Sequence, residues 1–221
     1  LRVYSADAGI TDTLYTMKGH WRGNTSVGYA KKNYAIKLTD ADGNSIDGKL
    51  LKGMRKDNNW ILDAMFVDAS RMRNRVSTDL WNDFAAAPYY ADQEPKARTG
   101  TRGRFVEMIL NGSYNGLYCL TEKMDRKQLK LRKIAEETPP EGFALDAQQH
   151  GILYKAVEWH DNTYMGTPSD KYTGISLPEP SNTKYEWGGF EIKYPDVEDG
   201  DAFFLLLVDE VVYHIGGIDI Q

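Results

Sequence analysis

MKGHWRGNTSVGYAKKNYAIKL, residues 17–38, is the stretch that decides the fold, because two strand-like runs flank a polar turn. The turn contains Gly23 and Gly28, and glycine adopts positive φ and lets a ligand approach the backbone closely. Successive backbone N–H groups in such a turn form a concave positive surface for anions. Arg22 adds formal charge beside it. The stretch therefore predicts a phosphate-binding turn on a β-hairpin.

The second strand opens with two lysines, and alternation of side chains separates them. Lys32 shares a parity with Tyr34, Ile36 and Leu38, so its side chain is predicted on the apolar face. Lys31 is predicted on the opposite, solvated face, although both lysines can add positive charge beside the turn. Lys32 is the favoured phosphate ligand, but a strand-end lysine whose ammonium group extends to water explains the same pattern.

Four segments in chain order resemble the signature of the spore coat protein H (CotH) kinase family. The first is Arg-Gly-Asn-Thr-Ser followed by Lys-Lys-Asn-Tyr-Ala-Ile-Lys-Leu. A tryptophan strand and a helix start with an Arg-Asn pair come next, before a hairpin that contains Leu-Asn-Gly-Ser-Tyr-Asn-Gly-Leu-Tyr-Cys-Leu-Thr-Glu-Lys-Met-Asp. The resemblance covers roughly residues 17–195, and its segments are 22–38, 60–62, 68–74 and 106–125, with weaker matches at 151–155 and 194–195.

This resemblance implies an α+β fold, an antiparallel β-sheet with packed helices similar to the N-terminal part of an atypical protein kinase. It also implies ATP with Mg or Mn, and a protein that accepts the phosphate. The family's metal-binding and catalytic acids lie further along the chain, and nothing after Asp201 matches them. We therefore expect this chain to lack the catalytic lobe that supplies the metal, and not to transfer phosphate by itself. The predicted cofactor-binding residues are Arg22, Gly23, Asn24, Ser26, Lys32 and Glu122, and no residue is assigned as catalytic or metal-binding.

The composition is that of an ordinary folded protein with an acidic balance. The 221 residues are 41% hydrophobic and carry a formal net charge of -5, which argues against a nucleic-acid partner. The single Cys119 excludes an internal disulfide and a Cys-based zinc site, and its apolar strand predicts a buried side chain. No apolar run reaches the length of a membrane span. Because the chain begins without Met, we expect a removed signal peptide and a secreted or cell-surface location.

One long helix is predicted after the short strand Trp60 to Leu62, with Asp68 or Ser70 capping its first turn. Its apolar residues recur every four positions, which predicts a stripe facing the core. Arg75 lies off that stripe and is predicted to form a surface ion pair with Asp79. The stripe consists of Met72, Val76, Leu80 and Phe84.

A basic loop and a strand pair follow this helix. Residues 96–104 contain four cations and predict a mobile, solvated connection, although these cations could also reach an acidic substrate. Residues 105–121 predict a β-hairpin with Asn111-Gly112 as its tight turn. Glu122 ends the second strand, where its carboxylate suits a ligand edge or a lysine such as Lys32. A strand-end carboxylate paired with Arg126 or Lys123 remains the alternative.

The rest of the chain predicts one domain with an insertion. Residues 1–157 form the nucleotide-binding region, 158–190 a polar insertion or surface loops, and 191–221 a closing strand and helix of the same domain. The strands expected here are Gly151 to Val157 and Glu191 to Pro195, and residues 201–214 predict an amphipathic helix.

A non-catalytic, β-rich module that binds a carbohydrate or protein surface is the competing function. Trp60, Trp159, Trp187 and the many tyrosines could form a stacking platform for sugar rings. Binding by such a module would not depend on ATP or on Lys32.

Overall fold

The computed structural model describes residues 1–5, 13–88, 90–131, 153–156, 186–187 and 190–194. The chain divides into two compact units, residues 1–124 and residues 125–221. The predicted boundaries at residues 157 and 190 stay predictions.

The first unit is built on a five-stranded antiparallel sheet, which confirms the predicted sheet type. A small antiparallel pair, β1 (Arg2–Val3) with β2 (Thr13–Leu14), precedes it. One helix, α1 (Arg73–Phe84), lies in the chain between the third and fourth strands of this sheet. The spatial order is β3 (Thr16–Arg22), β4 (Asn33–Thr39), β5 (Asn59–Asp63), β7 (Ser113–Glu122) and β6 (Gly103–Leu110).

One face of the sheet carries the hydrophobic core. Because side chains alternate, Ile36 and Leu38 on β4 face the same side as their neighbours on β5 and β7. Trp60 is only 1% exposed, and its indole N–H donates to the carbonyl of Asp57. The chain between β4 and β5 covers this face with further apolar side chains. The core residues are Ile36, Leu38, Leu50, Leu51, Met54, Trp60, Leu62, Ala64, Tyr118 and Leu120.

The β6–β7 hairpin turns at Asn111-Gly112, as predicted. Both residues have positive φ, 51° and 80°, which is the geometry of a type I′ turn. The pairing shifts by one residue beside Met108, opposite Gly116, which also has positive φ. Cys119 lies on β7 and is 4% exposed, as expected, and burial raises the pKa of its thiol to about 11. This thiol is therefore not a reactive group at neutral pH.

Asp68 organises the start of α1, as the capping prediction required. Its carboxylate accepts the backbone N–H groups of Met72 and Arg73, at 2.9 and 2.8 Å. It also accepts the backbone N–H and the hydroxyl of Ser70. These bonds, led by the one from the Arg73 N–H, lower the pKa of Asp68 from 3.8 to about 2. The charged form is thus the one that the fold stabilises.

Replacing Asp68 with alanine should therefore destabilise the protein in a pH-dependent way. The folded-state pKa lies below the ordinary value, so the carboxylate stabilises the fold above about pH 4 and loses this effect as the pH falls towards 2. Thermal unfolding of both proteins, followed by circular dichroism between pH 7 and pH 2, measures this dependence. The difference in melting temperature between the two proteins should be largest at neutral pH and should disappear near pH 2. A gap of constant size would contradict the assignment.

The predicted core stripe of α1 was wrong. Its four apolar side chains are between 44% and 70% exposed, whereas Arg75 is the buried residue of the helix. Arg75 donates to the carbonyl of Thr101 at 2.8 Å and forms an ion pair with Asp79 at 2.7 Å. Asn82 also donates to Thr101, and Trp81 to the carbonyl of Thr99. A polar face of the helix thus binds the backbone before β6, and the predicted mobile loop is fastened there.

The second unit contains a short helix and a small antiparallel sheet among its described residues. The helix α2 (Arg126–Leu129) is capped by Asp125, which accepts the backbone N–H of Gln128. The two predicted strands are confirmed as β8 and β10, whereas the helix predicted for residues 201–214 lies outside the described residues. The sheet order is β8 (Leu153–Ala156), β10 (Phe190–Tyr194) and β9 (Glu186–Trp187).

Candidate functional site

The polar turn between β3 and β4 requires glycine at one position. Gly23 has a φ of +113°, and a Cβ built on it would lie 1.8 Å from the Ser26 hydroxyl oxygen. The backbone then forms a short 3-10 helix, Thr25–Gly28, before it enters β4. Gly28 does not adopt positive φ, and a Cβ there would meet open space, so the conformational role predicted for it was wrong.

Two neighbouring side chains, Lys32 just before β4 and Asn33 at its first position, fasten this turn. The Asn33 amide donates to the Ser26 hydroxyl at 3.3 Å, and its oxygen accepts the backbone N–H of Ala64 at 2.7 Å. The Lys32 ammonium donates to the carbonyl of Val27 at 2.8 Å. The turn is therefore tied both to its own strand and to the residue that follows β5, which restricts its conformation.

The exposed side of the turn is positively charged. Arg22 is exposed, and its guanidinium forms no ion pair or hydrogen bond within the part of the chain that the structure describes. The Lys32 ammonium lies 5.2 Å from the centre of the Trp21 ring. Among the described residues, the backbone N–H groups of Thr25 and Ser26 find no hydrogen-bond acceptor. The turn thus carries two cations and, within the described residues, two N–H groups without an acceptor.

Lys32 lies on the face of the sheet that was predicted for it, whereas Lys31 does not. Trp21 pairs with Tyr34, and paired residues share a face, so Lys32 beside Trp21 lies on the predicted face. Lys31, predicted on the solvated face, instead places its ammonium 4.1 Å above the Tyr118 ring. It donates to the carbonyls of Leu117 and Ala64, and burial lowers its pKa. Both lysines precede β4, so strand alternation does not constrain Lys31.

Glu122 does not meet Lys32. Its two carboxylate oxygens accept the backbone N–H groups of Arg55 and Arg102, at 2.7 and 2.9 Å, and the residue is 3% exposed. Glu122 pairs with Trp60, whereas Asn33 bonds to Ala64, four residues further along. At about 3.3 Å per residue, this separation is about 13 Å along the sheet. A contact between Glu122 and a nucleotide stays a prediction.

A cavity of about 250 Å³ lies on the side of the sheet opposite the core, and the sequence patterns did not reveal it. Asp63, which ends β5, lines it and uses one carboxylate oxygen to accept the Met65 N–H at 2.8 Å. Asp63 directly precedes Ala64, to which Asn33 bonds, so the Asp63 side of the cavity lies towards the Gly23 turn, whereas its Thr121 side lies towards Glu122. The other residues that line it are Met65, Asn74, Arg75, Thr78, Thr101, Cys119 and Thr121.

The aromatic platform expected of a carbohydrate-binding module is not formed by Trp60, which lies in the core. The side chains of Trp159 and Trp187 lie outside the described residues. Among the residues with described positions, no group of three or more His, Cys, Asp or Glu side chains could hold a metal ion. In the same part of the chain, no helix is long and apolar enough to cross a membrane.

Comparison with known proteins places this hairpin, its turn and the strands around it in a known class. The family described as "CotH kinase protein" matches residues 20–194, so the chain belongs to the CotH kinase family. Among characterised proteins, it is similar to the inner spore coat protein H of Bacillus subtilis (strain 168), with 26% identity over 154 residues. The matched region covers 70% of this chain but 36% of that relative.

Proposed function

We propose that this chain is the nucleotide-binding part of an ATP-dependent protein kinase, with the Gly23 turn on the phosphates. The proposal rests on the turn itself, where Arg22 and Lys32 flank, in the sequence, backbone N–H groups that have no acceptor in the described structure. Phosphate groups are recognised by cations and oriented backbone N–H groups together. In this proposal, Asn24 and Ser26 complete the phosphate contacts.

The length of the sheet supports an extended nucleotide. The strand end at Glu122 and the Gly23 turn lie at opposite ends of the sheet, separated by about 13 Å along the strand direction at about 3.3 Å per residue and by two to three strands across it. A nucleoside triphosphate is long enough to lie between them, with adenine near Glu122 and its phosphates at the turn. The Glu122 carboxylate is occupied by two backbone N–H groups, so its strand end contributes to the site chiefly by shape.

The order of elements is similar to that of protein kinases, whereas two of the residues at the corresponding positions differ. In protein kinases, a glycine-rich loop covers the phosphates, and a strand lysine pairs with a glutamate of the following helix. Here a glycine turn is followed by β5 and α1, but α1 buries Arg75 and β5 ends in Asp63. The usual lysine and glutamate are thus absent from these described positions. Arg22 and Lys32 supply the positive charge in the proposed site.

Metal ions and the acceptor complete the proposed function. Mg or Mn would neutralise phosphate charge in the transfer reaction. The described residues offer no group of three acidic or histidine ligands, so we assign no metal ligand within them. The acceptor is a protein. The name of the Bacillus relative refers to a spore coat, and we propose a secreted or cell-surface location for this chain.

Removal of either cation should weaken nucleotide binding. A hydrogen bond to a charged group contributes about 1.5–3 kcal/mol, so Lys32→Ala and Arg22→Ala should each raise the Kd by about 10- to 100-fold. Isothermal titration with a non-hydrolysable ATP analogue and magnesium measures both. Gly23→Ala should also weaken binding, because a Cβ at φ +113° collides with Ser26 and moves the turn.

Lys18→Ala is the matched control. Lys18 is an exposed lysine of the same hairpin, but it lies near Gly43, far from the Gly23 turn. Its removal should leave the Kd unchanged within error. Equal affinities for the wild type, Lys32→Ala and Arg22→Ala would contradict the phosphate site. Glycan binding without any ATP binding would favour the carbohydrate module instead.

A further inference from the structure

Three alternate residues that lead into β4 contact the segment that follows β5. The rings of Tyr29 and Phe66 lie 5.7 Å apart. The Lys31 ammonium donates to the carbonyl of Ala64 at 3.4 Å, and the Asn33 amide oxygen accepts the N–H of the same Ala64 at 2.7 Å. Both backbone groups of Ala64 are therefore used to hold this part of the chain.

Lys32 lies between two of these held residues, Lys31 and Asn33. Its own ammonium donates to the carbonyl of Val27 in the Gly23 turn and lies 5.2 Å from the centre of the Trp21 ring. A functional side chain keeps its position when neighbouring hydrogen bonds fix the backbone from which it extends. The bonds of residues 31 and 33 to Ala64 thus determine where the Lys32 ammonium can lie.

The contacts of Lys31 suit a residue that holds the chain, and not one that binds a ligand. An ammonium group has three N–H donors. Those of Lys31 bond to the carbonyls of Ala64 and Leu117, and the group lies 4.1 Å from the centre of the Tyr118 ring. Leu117 belongs to β7, two positions from β4 in the sheet, so one side chain joins both strands.

We propose that Lys31 is a positioning residue for the phosphate site, which fixes the Lys32 ammonium in the place that binds phosphate and does not contact the phosphate itself. This inference rests on the proposed function. A group that is already held in its bound position loses less conformational entropy when a ligand binds. Loss of the Lys31 contacts should therefore weaken phosphate binding, and should do so only through Lys32.

Binding of ATP and of adenosine to Lys31→Met tests this role. Methionine keeps an unbranched apolar side chain but donates no hydrogen bond. In isothermal titration with a non-hydrolysable ATP analogue and magnesium, the Kd should rise about three- to tenfold. The Kd for adenosine should stay unchanged, because adenosine carries no phosphate. Equal losses for both ligands would mean that Lys31 only supports the fold in general, and would overturn the proposal.

Two further variants serve as controls for Lys31→Met. Lys31→Arg can still donate to both carbonyls and lie over the Tyr118 ring, so its Kd for the ATP analogue should stay within about twofold of the wild type. Lys37→Met makes the same chemical change at an exposed lysine of β4 and should leave that Kd unchanged. Circular dichroism verifies that each variant is folded, and Lys31→Gln replaces Lys31→Met if the latter is not.

A double-mutant cycle separates positioning from direct contact. If Lys31 acts through Lys32, adding Lys31→Met to Lys32→Ala should raise the Kd for the ATP analogue by no more than about twofold further. Losses that multiply would mean that Lys31 contacts the phosphate itself, which would overturn the proposal. Wild-type affinity in Lys31→Met would overturn it too, while weakened binding by Lys32→Ala would leave the proposed function standing. A wild type that binds no ATP would contradict both.

Discussion

Replacing Glu122 with alanine is expected to lower the free energy of unfolding by about 3–5 kcal/mol. The carboxylate is 3% exposed and joins two separate segments, because it accepts the N–H of Arg55 before β5 and that of Arg102 before β6. Alanine leaves both N–H groups without this acceptor in a place that excludes water, and each loses a hydrogen bond to a charged group. Urea unfolding followed by tryptophan fluorescence measures the change.

Glu107→Ala is the control for Glu122→Ala. Glu107 is an exposed acid on the neighbouring strand β6, and it accepts a hydrogen bond from the Tyr114 hydroxyl. Its removal should change the stability by no more than about 0.5 kcal/mol, as is usual for surface sites. If Glu122→Ala were as mild as the control but abolished ATP binding, Glu122 would be a ligand-binding residue and not a structural one.

Arg75→Ala is expected to cost about 2–4 kcal/mol, the second large effect. The guanidinium is buried and bonds to Thr101 and Asp79, and these contacts fasten α1 beside the sheet. Alanine removes them and leaves a cavity against Gly103 and Cys119. The loss should be smaller than for Glu122, because Asp79 is 53% exposed and water can replace its partner.

Val76→Ala is the informative comparison with Arg75→Ala. Val76 belongs to the stripe that amphipathic periodicity assigns to the core, where a Val→Ala change would cost more than a kilocalorie per mole through the cavity left behind. Here it is exposed, so a change of about 0.5 kcal/mol or less is expected. A larger loss for Val76→Ala than for Arg75→Ala would mean that α1 packs with its apolar stripe inward.

Several elements could be predicted because their signals are local. The turn at Asn111-Gly112 requires two residues that tolerate positive φ, and the sequence contains that pair between alternating strands. Asp68 sits where its carboxylate can reach the first N–H groups of α1, which needs no knowledge of the rest of the fold. The need for glycine at residue 23 is equally local, since it follows from the turn itself.

The partners of the charged side chains could not be predicted in this way. Lys31 donates to the carbonyl of Leu117, 86 residues away, and Glu122 accepts the N–H of Arg55, 67 residues away. Such contacts depend on which strands become neighbours, and alternation along one strand says nothing about that. Lys31 also lies outside β4, where alternation no longer determines the direction of a side chain.

The amino-acid sequence by itself determined the family, the two β-hairpins and the glycine turn, because each depends on short segments of the chain. Only the tertiary structure decided which side of α1 is buried, which of Lys31 and Lys32 bonds to β7, and what Glu122 binds. The physical reason is that a buried charge is stable only where particular partners meet it, and those partners come from distant segments. Periodicity on α1 indicated an apolar side correctly, but the hydrogen bonds of Arg75 turned that side outward.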